Sequence, residues 1–122
     1  MAEHNELGLY GEDLAVAHLL AKGYAIRHRN WRCGHWELDI VAEKDGLLVV
    51  VEVKTRTDTR FGLPEEAVSD GKIRRIVSSA DAYLRKYGID MPVRFDLITV
   101  VAGEAGEPVL RHIPDAFYPP LF

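Results

Sequence analysis

The fold is decided by residues 37–54, which read Glu37-Leu38-Asp39-Ile40-Val41-Ala42, a Lys44-Asp45-Gly46 turn, and Leu47-Leu48-Val49-Val50-Val51-Glu52-Val53-Lys54. Two β-rich runs joined by a Gly-containing connection predict a β-hairpin. Because successive side chains of a strand point to opposite faces, Glu37 and Asp39 share one face of the first strand. Glu52 and Lys54 share one face of the second. Three carboxylates and one ammonium are therefore expected to converge.

The other face of the second strand carries Val49, Val51 and Val53. Burial of this face fixes the register of the hairpin, because a shift by one residue would turn every side chain to the opposite face. The apolar face thus keeps Glu52 and Lys54 together.

Length and composition limit the class of protein. The chain has 122 residues, of which 48% are hydrophobic and 28% charged, as expected for one globular domain spanning residues 1–122. No apolar run approaches the ~18 residues that a membrane span requires. The polar N-terminus shows no secretory signal, and the single cysteine, Cys33, excludes an intramolecular disulfide framework. We expect a cytoplasmic protein without a membrane partner.

The net charge of −4 disfavours non-specific binding of nucleic acid over the whole surface. Basic residues are nevertheless clustered at three places, namely Arg27, Arg29 and Arg32; Lys54, Arg56 and Arg60; and Lys72, Arg74 and Arg75. Each cluster is interpreted either as a local nucleic-acid-binding patch or as the solvated face of an ordinary element.

Apolar periodicity predicts two helices and five strands. In chain order these are a helix from about Asn5 to Lys22, a strand from Tyr24 to Arg32, the hairpin strands Glu37–Ala42 and Leu47–Lys54, a helix from Ser69 or Asp70 to Tyr87, and strands Val93–Val101 and Val109–Ile113. Thr55 to Leu63 is predicted to be a loop. The helix between the Glu52 strand and the Val93 strand makes these two strands parallel neighbours. The predicted fold is therefore α/β, a mixed sheet flanked by helices in the order α-β-β-β-α-β-β.

Glu12 is the informative position of the first helix. It shares a stripe with Val16 and Leu19, so its carboxylate lies along a partly apolar flank, where burial is costly without a cation, a donor or a metal. The alternative is a surface glutamate that the helix dipole favours near the N-terminus.

Asp39 and Glu52 on adjacent strands offer hard oxygen ligands that suit Mg²⁺ or Mn²⁺ better than zinc. A bound cation lowers the pKa of its water and stabilises charge on a phosphate, and Lys54 can position or deprotonate the attacking water. This combination is typical of phosphodiester hydrolysis. The alternative is a structural ladder of ion pairs between Glu37, Asp39 and Lys54 across the hairpin. Zinc is disfavoured because Cys33, His35 and His28 match no common ligand spacing.

The spacing of Asp39 and Glu52-Val53-Lys54 resembles the PD-(D/E)XK nuclease superfamily. Further motifs resemble the YraN-like family of predicted endonucleases, which is distantly related to archaeal Holliday-junction resolvases. These motifs are Gly8-Leu9-Tyr10-Gly11-Glu12, Gly23-Tyr24, Asn30-Trp31-Arg32-Cys33, Glu37-Leu38-Asp39-Ile40-Val41-Ala42, Val51-Glu52-Val53-Lys54-Thr55-Arg56, Phe61-Gly62, Ala67-Val68, Lys72 and Arg94-Phe95-Asp96. The resemblance extends from about Gly8 to Phe117.

The resemblance implies a restriction-endonuclease-like fold and a role for each matching residue. Asp39, Glu52 and the Val53 carbonyl would bind the metal, Mg²⁺ or Mn²⁺. Lys54 would be the catalytic lysine, with Glu12 and Glu37 as further acidic residues of the site. Lys72 would contact phosphate, and Arg56 and Arg75 of the basic clusters complete the predicted nucleic-acid-binding residues.

Trp36 replaces the glycine that the family usually has before the Glu37 equivalent, and an indole there could narrow the groove or stack on a base. The first functional hypothesis is a metal-dependent endonuclease that recognises the shape of branched or structured DNA, with a homodimer as the assembly that would span two strands. The second is a nucleic-acid-binding or partner-binding module that keeps the fold without cleaving. A structural domain with an ion-pair ladder is the third.

Overall fold

The computed structural model describes residues 3–57, 69–101 and 107–117, with side chains from Tyr10 onward. The elements in chain order are α1 (Glu3–Ala21), β1 (Ala25–Cys33), β2 (Trp36–Lys44), β3 (Leu47–Arg56), α2 (Asp70–Tyr87), β4 (Val93–Val101) and β5 (Val109–Ile113). Both helices and all five predicted strands are therefore present in the predicted order.

The strands form one five-stranded sheet in the order β1-β2-β3-β4-β5. β1 with β2, β2 with β3, and β4 with β5 are antiparallel, whereas β3 and β4 are parallel from Leu48↔Val93 to Arg56↔Val101. The prediction that the Glu52 strand and the Val93 strand are parallel neighbours is confirmed. The site-bearing strand β3 thus lies at the centre of the sheet, with a partner on each side.

The two helices cover opposite faces of the sheet. Val49 and Val51 of β3 pack in one cluster with Ala15 and Leu19 of α1, and Val53 packs against that cluster. The intervening Leu48 and Val50 pack in a second cluster with residues of α2. This alternation confirms that Val49, Val51 and Val53 share a buried face, so Glu52 and Lys54 point to the α2 side of the sheet.

Local sequence accounts for the ends of the elements around the site. Asp45 (φ 52°) and Gly46 (φ 78°) form the two-residue turn of the β2–β3 hairpin, in the left-handed conformation that such a turn requires. Helix α2 begins after Ser69, whose hydroxyl accepts a hydrogen bond from the Lys72 amide at 3.2 Å. It ends at Gly88 (φ 61°). The Ser69 cap places Lys72 in the first turn of α2.

Several element ends differ from their predictions by one or two residues, and two of these lie in the hairpin. β2 continues to Lys44, which pairs with Leu47, so the predicted Lys44-Asp45-Gly46 turn is limited to Asp45 and Gly46. β3 continues through Thr55 and Arg56 because these residues pair with Val100 and Val101 of β4, so the predicted Thr55–Leu63 loop begins too early. The remainder of that loop from residue 58, the segment Pro64–Val68, and residues 102–106 and 118–122 lie outside the described residues. In the described part of the tail, the Ala116 amide donates to the Phe95 carbonyl at 2.8 Å.

No helix in the described ranges has the length and apolar character needed to cross a membrane.

Candidate metal and phosphodiester site

The predicted site lies where β2 and β3 separate. Their paired register runs from Lys44↔Leu47 to Ile40↔Val51 and then stops. Beyond this point the Val53 amide donates to Asp39 Oδ2 at 2.9 Å rather than to a backbone carbonyl of β2. The Asp39 carboxylate therefore lies in the fork between the strands and replaces the missing ladder hydrogen bond.

The Val53 carbonyl faces the same fork as its amide. The N–H and C=O groups of one strand residue point to the same neighbouring strand, and the Val53 N–H points to Asp39. The structure therefore brings the three predicted metal-binding residues, Asp39, Glu52 and Val53, to one place. Asp39 reaches it from β2, and the other two are consecutive residues of β3.

Of the two carboxylates of the fork, that of Glu52 is buried and that of Asp39 is half-buried, and the two repel each other. Burial, and then the charge of Asp39, raise the pKa of Glu52 to about 8. Burial likewise raises the pKa of Asp39, against the opposing effects of the Val53 hydrogen bond and of Lys72 and Lys54. Glu52 Oε2 is buried and has no hydrogen-bond partner within the described part of the chain. Such an atom is costly to bury unless something binds it.

Lys54 and Lys72 provide positive charge beside these acids. Burial, and then the proximity of Lys72, lower the pKa of Lys54 to about 8. Lys72 Nζ lies 3.9 Å from Glu52 Oε1, which is an ion pair but too long for a hydrogen bond. Lys72 thus pairs with Glu52, a predicted metal ligand. Its position in the sequence, at the start of α2, did not indicate this contact.

Glu12 reaches the neighbourhood of the fork from the opposite helix. Its carboxylate is buried and accepts hydrogen bonds from Arg29 Nε at 3.2 Å and Asn30 Nδ2 at 3.0 Å, both on β1. Burial raises the pKa of Glu12 against the effect of Arg29, and the charge of Asp39 raises it further. The charge of Asp39 therefore affects the pKa of Glu12, while hydrogen bonds from Arg29 and Asn30 of β1 hold the Glu12 carboxylate in place.

Gly11 allows the close approach of α1 that places Glu12 there. A Cβ atom at Gly11 would lie 2.1 Å from Oγ1 of Thr55 on β3, with both other Thr55 side-chain carbons at 3.1 Å. Helix and strand are thus in contact at a position where only glycine fits.

Replacing Gly11 by Ala is expected to destabilise the protein by about 1–3 kcal/mol, because α1 must move away from Thr55. Thermal unfolding measures this effect. Gly71→Ala in α2 is the matched control. Among the described residues its Cβ would meet only Ser69 Oγ, at 3.9 Å, so the substitution should be neutral or stabilising. Equal melting temperatures for Gly11→Ala and the wild type would show that the contact is not a constraint.

The remaining predicted site residues lie at the border of the fork. The Glu37 side chain is largely exposed and pairs with Arg32 of β1, Nε to Oε2 at 3.7 Å, although its charge still affects Asp39. Arg56 is exposed at the end of β3. Arg75 is exposed on α2 and lines a cavity of about 230 Å³ that also contains Asp39 and Glu52.

Four residues of this region were not predicted as site residues. Arg29 and Asn30 hold Glu12, Ser79 Oγ accepts from the Glu37 amide at 3.3 Å, and His35 lines the cavity. Asn30 has a positive φ of 49° between the pairs Trp31↔Leu38 and Arg29↔Ile40, opposite Asp39. The Asn30-Trp31 motif contained a signal for this left-handed backbone position, because asparagine tolerates the left-handed conformation better than most residues.

A hard divalent cation fits the donors of the fork. Mg²⁺ and Mn²⁺ prefer oxygen ligands. The fork offers Oε2 of Glu52, which has no hydrogen-bond partner among the described residues, the Asp39 carboxylate and a strand carbonyl. A cation there would offset the burial that raises both carboxylate pKa values and the charge of Asp39 that raises the pKa of Glu52 further. Among the described residues, however, no group of three or more His, Cys, Asp or Glu side chains is arranged to hold a metal ion. A cation would therefore need backbone and water oxygens in addition to Asp39 and Glu52.

Sequence comparison identifies relatives along the whole chain. A family model described as "Uncharacterised protein family UPF0102" matches residues 11–100. A UPF0102 protein of Phocaeicola vulgatus is 62% identical, and one of Bacteroides thetaiotaomicron is 63% identical, each over 100% of both chains. A third, from Parabacteroides distasonis, is 51% identical over 98% of both chains. These matches confirm the YraN-like family that the motifs indicated.

Structural comparison identifies a similar fold. The Archaeoglobus fulgidus protein Hjc, described as a Holliday junction resolvase from an archaeal hyperthermophile, superimposes with a TM-score of 0.50. The match has 18% sequence identity and covers 88% of this chain and 76% of that one. The predicted restriction-endonuclease-like class, a mixed sheet with flanking helices, is confirmed.

Proposed function

The chain belongs to the uncharacterised protein family UPF0102, and we propose that it is a divalent-metal-dependent endonuclease that hydrolyses phosphodiester bonds in branched or structured DNA. The observation that carries this proposal is the buried Oε2 of Glu52, which lies beside Asp39 and has no hydrogen-bond partner in the described part of the chain. Lys72 and Arg75 line the same cavity as these two acids. The resolvase-like fold supports the proposal. A cytoplasmic location and a homodimer are parts of the same proposal.

Asp39, Glu52 and the Val53 carbonyl would hold Mg²⁺ or Mn²⁺. The cation would supply Lewis-acid stabilisation of a phosphate and a water of lowered pKa. The hydrogen bond from the Val53 amide fixes the Asp39 carboxylate in the fork, so this ligand is oriented before any cation arrives. Preorganised ligands of this kind lose little freedom on binding.

Lys54 is the group that would move the proton. Its Nζ lies on the same face of β3 as Glu52, and its pKa of about 8 makes the neutral amine accessible near physiological pH. A neutral amine can accept a proton from an attacking water, and the ammonium can stabilise charge on the phosphate oxygens. Lys54 is therefore assigned as the catalytic residue.

The other charged residues would contact the substrate or adjust the electrostatic potential at the fork. Lys72 and Arg75 line the cavity and would contact phosphates, with Arg56 further along β3. Glu12 and Glu37 would contribute to the negative potential around Asp39 and Glu52. Arg29 and Asn30 hold Glu12, and Arg32 pairs with Glu37.

Cleavage of a DNA panel tests the proposal. Fluorescent four-way junctions, forked duplexes, single strands and blunt duplexes would be incubated with purified protein and Mg²⁺, Mn²⁺ or EDTA. Metal-dependent cleavage that favours branched or forked DNA is expected. Absence of cleavage of every substrate, in both metals and at protein concentrations above those of the DNA, would reject the endonuclease.

Lys54→Met is expected to slow cleavage by about 10²–10⁴-fold, because proton transfer to a positioned side chain contributes about that factor. Lys54→Arg should not restore activity, since a guanidinium stays protonated. Single-turnover kinetics measure the loss. Mn²⁺ binding should persist in both variants, and a fully active Lys54→Met would remove Lys54 from the mechanism.

The second candidate is a module that binds nucleic acid or a partner without cleaving it. The lack of a third ligating side chain in the described residues and the net charge of −4 favour this alternative. The DNA panel separates the two functions, because a module would bind branched DNA and leave it intact.

A further inference from the structure

Two aromatic rings line the same cavity as Asp39 and Glu52. The cavity of about 230 Å³ extends from Asp39 and Glu52 to His35 and Trp36 at the β1–β2 turn. The imidazole and indole centroids lie 4.1 Å apart, with an angle of 41° between the planes. Trp36 is half-buried and packs against the α2-side core, whereas His35 is exposed. The ring pair is thus anchored at one end and accessible at the other.

Basic side chains line the same cavity as the rings and the acids. Lys72 and Arg75, from successive turns of α2, line the same cavity and provide positive charge for a phosphate. Trp36 precedes Asp39 by three residues on β2, which corresponds to about 10 Å along the strand. This separation is comparable to the reach from a phosphate to the base of the same or the next nucleotide.

We propose that the His35–Trp36 ring pair stacks on an unpaired base next to the phosphate that lies at the Asp39–Glu52 fork. Inside a duplex both faces of each base are already covered by neighbouring bases, so a ring that lines a concave cavity cannot stack on an interior base pair and can stack on an unpaired nucleotide. The inference rests on the proposed function for the phosphate position. It adds the substrate class, which is DNA with unpaired nucleotides at a fork or branch.

Binding under conditions that prevent cleavage tests the inference. Affinities for a forked duplex with single-stranded arms and for a blunt duplex of the same paired length would be measured by fluorescence anisotropy in EDTA at constant ionic strength. The variants are Trp36→Leu, which keeps an apolar side chain without a ring, and Trp36→Phe, which keeps a ring. We expect the wild type to prefer the fork.

The two variants should separate stacking from packing. Trp36→Leu is expected to weaken fork binding by about tenfold, near the low end of the measured range for base–aromatic stacking, and to leave blunt-duplex binding within about twofold. Trp36→Phe should retain most of the preference. Equal wild-type affinity for fork and blunt duplex, or unchanged fork binding by a folded Trp36→Leu, would overturn the inference.

A second measurement requires no destabilised variant. 2-Aminopurine at the first unpaired position of the fork should lose fluorescence when the wild-type protein binds, because stacking on a ring quenches it. The same probe within the paired region should not respond. An unquenched probe at the unpaired position contradicts the inference even if Trp36→Leu fails to fold.

Failure of this inference and failure of the proposed function give different results. Cleavage of branched DNA without any dependence of binding on Trp36 rejects the stacking role and keeps the endonuclease. Fork-selective binding that needs the ring, with no cleavage of any substrate, rejects the endonuclease and keeps the unpaired base as the ligand.

Discussion

Glu52→Gln is expected to reduce metal-dependent DNA cleavage by at least about 10³-fold. Gln keeps the size of the side chain and one carbonyl oxygen but removes the charge that would bind the cation, and a catalytic metal supplies several kcal/mol of transition-state stabilisation. Folding should not suffer, because burial and Asp39 already raise the pKa of Glu52 to about 8 and so favour its neutral form. Single-turnover cleavage of a forked duplex in Mg²⁺ and in Mn²⁺ measures the loss.

Glu43→Gln provides the matched control for Glu52→Gln. Glu43 is also a strand glutamate, on β2, but it pairs with Arg27 at 3.3 Å near the opposite end of the hairpin from the fork. Cleavage should stay within about twofold of the wild type, since partly exposed ion pairs contribute little. If Glu52→Gln cleaves as fast as Glu43→Gln, Glu52 is not a ligand of a catalytic metal.

Asp96→Asn is expected to lower the free energy of unfolding by about 3 kcal/mol, which corresponds to roughly 12 °C in melting temperature for a chain of this size. Asp96 is fully buried on β4 and accepts hydrogen bonds from Arg94 Nε and Nη2, both at 2.8 Å, and from the Asp115 amide at 3.0 Å. His112 Nε2 lies 2.7 Å from Asp96 Oδ2. Asn would leave the partly buried guanidinium without its counter-charge. Thermal and denaturant unfolding measure the change.

Asp81→Asn is the control for charge removal alone. Asp81 pairs with Arg85 one turn along α2 on the surface, an interaction worth about 0.3–0.5 kcal/mol. A loss in Asp96→Asn no larger than in Asp81→Asn would mean that the buried network does not stabilise the fold.

The stabilisation by Asp96 should also depend on pH. Its hydrogen bonds to His112, Arg94 and the Asp115 amide outweigh the effect of burial and hold the pKa of Asp96 below its ordinary value of 3.8. A carboxylate with a lowered folded-state pKa contributes its full stability above the unfolded value and loses it as the pH falls through the folded one. The difference between wild type and Asp96→Asn should therefore be constant above about pH 5 and shrink below about pH 4. A constant difference down to pH 2 would contradict this assignment.

The fold could be predicted because its signals are local. The boundaries of α2 follow from a hydroxyl N-cap and a C-terminal glycine, and those of β4 and β5 from alternation and turn residues. The hairpin register followed from the apolar face of β3. The end of β3 could not be predicted, because Thr55 and Arg56 pair with a strand that follows some forty positions later in the sequence.

The site could be predicted in part for the same reason. Asp39, Glu52 and Lys54 sit on one hairpin, so strand periodicity is enough to bring them together. The position of Glu12 depends on the contact between Gly11 and Thr55 and on Arg29 and Asn30, all of which arise from packing between distant elements. Glu37 lines the same cavity as Asp39, and its side chain is in addition paired with Arg32, its register partner on β1, a contact that the sequence did not indicate.

The buried network around Asp96 shows how tertiary contacts can override a sequence pattern. Arg94 and Asp96 alternate with apolar residues as a solvent-facing set would, yet Asp96 is fully buried and Arg94 is half-buried. Their hydrogen-bond partners are Tyr24, His112 and the Asp115 amide. A carboxylate only accepts hydrogen bonds, so His112 must donate through Nε2, and its Nδ1 is free to accept from His18 Nε2 of α1 at 3.1 Å. These hydrogen bonds thus link α1, which carries Glu12, to β5 and β4.

Mn²⁺ binding at the fork is the most direct test of the site. Electron paramagnetic resonance of free Mn²⁺ would be followed while wild type, Glu52→Gln and Glu43→Gln are titrated into it. The wild type and Glu43→Gln should each remove one equivalent of Mn²⁺ from solution, and Glu52→Gln should bind at least tenfold more weakly while remaining folded. If the wild type binds no Mn²⁺, or Glu52→Gln binds it equally well, Asp39 and Glu52 do not form a metal site.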